Sequence, residues 1–230
     1  MWTLSDEERS ALWLSIQVSL WAVGASLPPA MLCALLMARV RFIGKSVFEG
    51  LIYLPLVLPP VVTGYLLLVL LGRRGFVGSW LYDTFGIVFA FRWTGAAIAS
   101  AIMGFPLLVR AIRLSLESVD RRIETAARTL GASRWRVFFT ITLPLTLPGI
   151  IAGSVLSFGR SLGEFGATIT FVSNIPGETR TLPLAIYTYT QVPGGDEAAL
   201  RLIVISIALS LATLIASELL VRRATERLHG

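Results

Sequence analysis

Cysteine and histidine are nearly absent from this sequence: Cys33 and His229 are the only examples in 230 residues. A single thiol closes no intrachain disulfide, and one imidazole beside the C-terminus completes neither a structural zinc site nor a Ser-His-Asp triad. No metal site and no such catalytic triad are therefore expected. Charge is scarce too. Asp, Glu, Lys and Arg make up 15% of the chain, against roughly 25% in soluble domains. Hydrophobic residues reach 55% and the mean hydropathy is +0.75, which excludes disorder and argues against an ordinary soluble enzyme. Internal repeats and low-complexity stretches are also lacking.

What is present is a series of long apolar blocks. Ala11 to Ala38 runs 28 residues without one Asp, Glu, Lys or Arg, well beyond the ~20 that cross a bilayer. Gly50 to Gly72, about Ile87 to Val109, about Pro148 to Val172 and about Leu202 to Val221 are further candidate spans. The fold predicted from them is all-α, a polytopic membrane bundle of about five transmembrane helices, with loops long enough to hide a sixth. Asp6, Glu7 and Glu8 precede the first block, where a secretory signal would carry basic residues. The first block is thus expected to be a retained helix.

Basic residues follow the loops, and Lys and Arg stay on the cytoplasmic side of a membrane. With the N-terminus outside and the C-terminus inside, 13 Lys and Arg lie in the cytoplasm and 6 outside, namely Arg9, Arg73, Arg74, Arg92, Arg180 and Arg201. The net charge of +6 is therefore a topology signal, and the expected partner is the lipid bilayer rather than nucleic acid. Pro28-Pro29, Pro55, Pro59-Pro60 and Pro106 interrupt the spans. Each removes a backbone donor, which a membrane tolerates where protein or a water-lined cavity satisfies the freed carbonyl. Small residues recur every fourth position, as Ala96, Ser100 and Gly104 and as Gly153, Ser157 and Ser161, and such faces let helices approach closely. The partner helix could belong to the same chain or to another copy.

Gly44-Lys45-Ser46 has the tail of a phosphate-binding loop, but the required first glycine is replaced by Arg39, so no nucleotide site is encoded there. The segment Glu117 to Pro148 is more informative. Its alanines and Leu130 favour a helix of about two turns, Gly131 can end it left-handed, and a second helix can restart from Ser133. The result is a protruding knob, small on one face and basic on another. Within a span, Arg160 and Glu164 stand four apart and so on one helix face. Buried charges in a bilayer are costly and mark functional candidates; here a substrate-path or gate role competes with a plain structural ion pair.

The knob resembles the cytoplasmic signature of permease subunits of ATP-binding-cassette importers: EAA, three residues, Gly, nine residues, then Ile-x-Leu-Pro. Gly131 is followed at that spacing by Ile141, Thr142, Leu143 and Pro144, and preceded by Ala126 and Ala127. At the glutamate position stands Thr125, with Glu124 one residue early. Leu56 to Tyr65, Gly72 to Phe76, Arg160 to Thr168 and Asn174 to Thr181 are similar to molybdate permeases, and the likeness covers nearly the whole chain from about Ala11. Sulfate permeases share the Leu162-Gly163-Glu164 neighbourhood in weaker form and supply the alternative substrate reading.

This resemblance implies a single domain of the type I importer permease class over residues 1–230, with an ATPase-coupling loop at about 117–148. It further implies a homodimer with a second permease copy, two cytoplasmic ATPase subunits that hydrolyse the ATP, and an external molybdate-binding protein, all at a bacterial inner membrane. Cofactors are not expected. Tungstate is a further expected cargo. A stand-alone channel or secondary transporter would instead predict an inverted repeat and coupling residues beyond Arg160 and Glu164, and a membrane-embedded enzyme would predict an intramembrane cluster of His, Asp or Glu.

Overall fold

Ser5 opens the first helix with a reciprocal cap. The Glu8 N–H donates to its hydroxyl at 3.2 Å, and the Ser5 N–H donates to the Glu8 carboxylate at 2.7 Å, which satisfies two donors that a helix start otherwise leaves open. Helix α1 then runs Asp6–Arg39, and Pro28 and Pro29 sit inside it without ending it. This computed structural model describes residues 3–229. The side chains of Thr225, Arg227, Leu228 and His229 are excepted, so the Arg227 and His229 side chains counted above lie outside the described residues.

Ten further helices follow: α2 (Lys45–Val57), α3 (Pro60–Leu71), α4 (Phe76–Phe85), α5 (Trp93–Ser118), α6 (Arg121–Thr129), α7 (Arg134–Val137), α8 (Leu143–Leu162), α9 (Gly166–Val172), α10 (Leu182–Thr190) and α11 (Asp196–His229). A π-helical segment, Phe138–Thr142, joins α7 to α8. Strands are absent among the described residues. Four helical runs are long and apolar enough to span a bilayer: α1, α5, the continuous Arg134–Leu162 and α11. The second expected span, Gly50 to Gly72, is broken. Its halves, α2 and α3, meet at 112° across Leu58 and Pro59.

Packing shows that the broken pair still crosses the bundle. Ile52 of α2 joins Ala34 and Met37 at the end of α1, with Ile112 and Leu116 at the end of α5. Leu67 of α3 joins Leu14 and Val18 near the start of α1, with Ala96 and Ala99 near the start of α5. The two halves therefore bury their apolar sides at opposite ends of the same helices. Pro59 cannot donate a helical bond and Pro60 starts a helix well, so the chain turns where the prolines stand.

The small-residue faces expected from the sequence meet each other within one chain. Ser161 Oγ donates to the Ser100 carbonyl at 3.4 Å, and a Cβ at Gly104 would collide with the Ser157 hydroxyl. Helices α5 and α8 thus touch nearly backbone to backbone, with α1 against both. By contrast Ile203, Ile207, Leu211, Leu214 and Ile215 of α11 stay exposed, a surface that suits lipid or a second subunit.

Several span boundaries differ from the sequence reading, and the third span runs Trp93–Ser118 rather than about Ile87 to Val109. The fourth span begins at Arg134 rather than Pro148 and ends at Leu162, because the helix restarted by Ser133 continues through the π segment into α8. Within the uncharged stretch after Arg180, Leu182–Thr190 forms α10, tied to α1 where the Leu182 N–H donates to Ser15 Oγ at 2.6 Å. Beside it, Arg201 donates to the fully buried Glu8 carboxylate at 2.8 Å, and Arg180 pairs with Glu7 at 3.3 Å. These ion pairs lock the start of α1 to the start of α11 and to the loop before α10.

Candidate functional site

The knob is built by local chemistry. Asp120 caps α6 by accepting the Arg122 N–H at 2.8 Å. At the other end the Gly131 N–H reaches the Arg128 carbonyl at 3.0 Å and the Ala132 N–H the Ala127 carbonyl at 3.1 Å. That pair of bonds is a Schellman closure, and it needs a left-handed residue where Gly131 stands at φ 89°. Ser133 then caps α7, accepting the Arg136 N–H at 3.3 Å. The helix it starts runs on through the π segment into α8 rather than forming a separate short element. Ile141 lies in the π segment, and Leu143 and Pro144 open α8.

At 100° per residue, α6 has two opposed faces. Ile123, Ala126, Ala127 and Leu130 form an apolar stripe, on which Ile123 is 49% and Leu130 88% exposed. Arg121, Glu124, Thr125 and Arg128 turn the other way and line a cavity of about 360 Å³ together with Leu35, Arg39, Arg134, Val137, Phe138 and Thr142. Moving the carboxylate from position 125 to 124 keeps it on this inner face. Thr125 donates to its own helix, at the Arg121 carbonyl.

Glu124 is the pin of the knob. Its Oε1 accepts from Arg39 Nη2 at 2.7 Å and from Thr142 Oγ1 at 2.8 Å. Arg121 adds a bond to the Ala38 carbonyl at 2.9 Å, and Lys45 donates to the Met37 carbonyl. Cations thus satisfy carbonyls at the end of α1, where the helix dipole also favours them. Arg39, Arg121 and Thr142 were not recognised from sequence. Arg39 and Glu124 are 85 positions apart, and no short-range spacing reports such a contact.

The second candidate pair lies where α8 stops. Gly163 caps α8, so Glu164 stands in the break before α9 and not on a regular helical face as the four-residue spacing suggested. Arg160 Nη1 still reaches Glu164 Oε2 at 2.6 Å, with the Glu164 side chain 1% and the Arg160 side chain 29% exposed. Glu164 Oε1 accepts the Ala167 N–H at 2.8 Å. The carboxylate therefore joins the end of α8 to the start of α9, while the guanidinium keeps an open side. Helix α9 rests against α3, where a Cβ on Gly64 would fall within 2.5 Å of the Ala167 carbonyl. Both broken helices thus meet beside this ion pair.

Comparison with known proteins places this architecture. The family described as "Binding-protein-dependent transport system inner membrane component" matches residues 30–226. The molybdenum transport system permease protein ModB of Escherichia coli (strain K12) is 64% identical over 97% of this chain and 98% of its own. The sulfate transport system permease protein CysT of the same organism is 40% identical over 70% of this chain and 58% of its own. Among solved structures, a bacterial alginate transporter in complex with its pentasaccharide-bound periplasmic protein superposes with a TM-score of 0.76. It covers 96% of this chain and 80% of that one at 20% identity, which supports the fold.

Proposed function

Since the chain belongs to the binding-protein-dependent transport system inner membrane component family, we propose that it is the permease of an ATP-driven importer that carries molybdate, and tungstate with it, into the cytoplasm. The observation that carries the substrate is the 64% identity to ModB along almost the full length of both chains. The sulfate permease is more distant. In this reading residues 1–230 form one membrane domain that pairs with a second copy around a central path. Two cytoplasmic ATPase subunits grip the knobs, and an external protein delivers the oxyanion. The N-terminus lies outside and the C-terminus in the cytoplasm.

The knob supplies the mechanism. ATP-driven closure of the partner moves the apolar stripe of Ile123, Ala126, Ala127 and Leu130. Glu124 holds the end of α1 and the π segment at once, so the displacement is shared by two spans. A rigid link of this kind lets a partner bias one bundle arrangement over another. Arg160, open on one side beside the breaks, offers transient attraction to a dianion, and Glu164 keeps it from becoming a trap. Uptake of labelled molybdate by the reconstituted complex, with tungstate and sulfate as competitors, tests the reading. Strong competition by tungstate and weak competition by sulfate is expected, and the reverse order would transfer the assignment to sulfate.

A further inference from the structure

The cavity behind the knob carries more positive charge than its own residues neutralise. Four guanidiniums, those of Arg39, Arg121, Arg128 and Arg134, converge on it around the single carboxylate of Glu124. Glu124 is engaged by Arg39, and Arg121 is turned to the Ala38 carbonyl. Arg128 and Arg134 have no acidic partner among the described residues. Like charges brought together in one concave site call for an anion to fill it.

Placement narrows the kind of anion. The lining face of α6 is the one opposite the apolar stripe, so a protein gripping that stripe leaves the cavity behind it. Leu35 and Arg39 of the last turns of α1 form its wall, which puts it level with the end of a membrane span. On the same helix Leu32 and Leu36 are 59% and 37% exposed. They lead an apolar track from the cavity toward the membrane interior. A basic recess continuous with an apolar track is the footprint of an amphiphile, and arginines bind phosphate oxygens through paired N–H donors.

We propose that this cavity binds the phosphate headgroup of an anionic phospholipid, with Arg128 and Arg134 as the principal ligands and the acyl chain lying along Leu36 and Leu32. The proposal rests on the membrane-permease reading above. It makes the lipid a clamp between α1 and the knob, set beside the Glu124–Arg39 pair.

Native mass spectrometry of the detergent-purified full-length permease tests this without any transport step. Presented with equal phosphatidylglycerol and phosphatidylcholine, the wild type is expected to retain phosphatidylglycerol about tenfold better, because clustered basic residues attract the anionic headgroup. Arg128→Gln with Arg134→Gln should abolish the preference, and Arg128→Lys with Arg134→Lys should keep part of it. Size-exclusion profiles and helical content establish that the variants remain folded. Equal retention of the two lipids overturns the proposal, as does a preference unchanged in the double glutamine variant. Displacement of phosphatidylglycerol by millimolar inorganic phosphate would make the cavity a free-oxyanion site instead, and displacement by the purified ATPase would make it a protein contact. Either result also overturns it. Failure of molybdate uptake would leave this readout intact, so the two readings fail separately.

Discussion

Glu124 and Arg39 join the knob to the end of the first span through a 2.7 Å charged hydrogen bond, and the same carboxylate oxygen takes the Thr142 hydroxyl at 2.8 Å. One acceptor therefore fastens three segments. Both partners of the ion pair are 19% exposed, which leaves some solvent screening. Its expected contribution is to coupling more than to stability. Glu124→Ala should lower molybdate uptake by about tenfold, equivalent to ~1.4 kcal/mol on the rate-limiting barrier, while ATP hydrolysis continues. Arg39→Ala should do the same, and the double variant should be no worse than either, because groups acting as one unit are non-additive. Additive losses would show that the two residues act separately.

Gly131 offers a cleaner separation of space from conformation. A Cβ there meets nothing within 4 Å, yet φ is +89°, so any penalty comes from the backbone. The left-handed conformation costs ordinary residues ~1–2 kcal/mol, and Asn tolerates it best among them. Uptake and ATPase association should fall in the order Gly131, Asn, Ala, Val, with membrane insertion unchanged. If Gly131→Val matched the wild type in both measurements, the knob would not be the coupling element.

Close approach of α5 and α8 predicts a rescue. Gly104→Ala drives a methyl into the Ser157 hydroxyl, an overpacking that costs roughly 1–3 kcal/mol. Thermal unfolding in detergent should show the loss, and Ser157→Gly should restore most of it. Gly64→Ala should resist any such repair, because its obstruction is the backbone carbonyl of Ala167. Failure of the Ser157→Gly rescue would mean that α5 and α8 are separated in the membrane.

Much of this arrangement was legible before the fold was known, and the reasons are physical. A span must be apolar for about twenty residues, so composition reports it directly. Gly131 and Ser133 act on their immediate neighbours, and local bonding reports them too. The break in the second span was signalled by Leu58-Pro59-Pro60, but its 112° angle is set by packing of α3 on α9, which no local pattern encodes. Arg39 and Thr142 escaped for the same reason. Glu164 was placed on a helical face by spacing alone, and Gly163 ended that helix one residue earlier.

Membrane orientation can be read with fusions. In the proposed orientation, with the N-terminus outside, Arg222 and Arg223 lie in the cytoplasm and the loop at Pro193 outside. Four unbroken runs, with the broken α2–α3 pair taken as one crossing, make an odd number of crossings. A reporter fused after Arg223 should be active only in the cytoplasm, and one at Pro193 only outside. The opposite pair of results would invert the bundle, while a shared side for both chain ends would make α2–α3 a re-entrant hairpin rather than a crossing.

Cargo attraction at the break near Arg160 is the most demanding prediction. Molybdate and tungstate are tetrahedral dianions of similar size, and a path that must release its cargo cannot hold it tightly. Discrimination among oxyanions then belongs mainly to the external binding protein, and the permease contributes attraction common to any dianion. Arg160→Ala should lower uptake of both by similar factors and leave their ratio unchanged. The complication is Glu164, which is 1% exposed and loses its only cationic partner among the described residues, leaving a buried carboxylate unpaired. Arg160→Ala with Glu164→Gln removes that burden, because a glutamine carbonyl can still accept the Ala167 N–H now taken by Oε1. The double variant should regain membrane expression and ATPase assembly but not uptake. Normal uptake by an assembled Arg160→Ala complex would remove the residue from the path and leave the pair as a brace between α8 and α9.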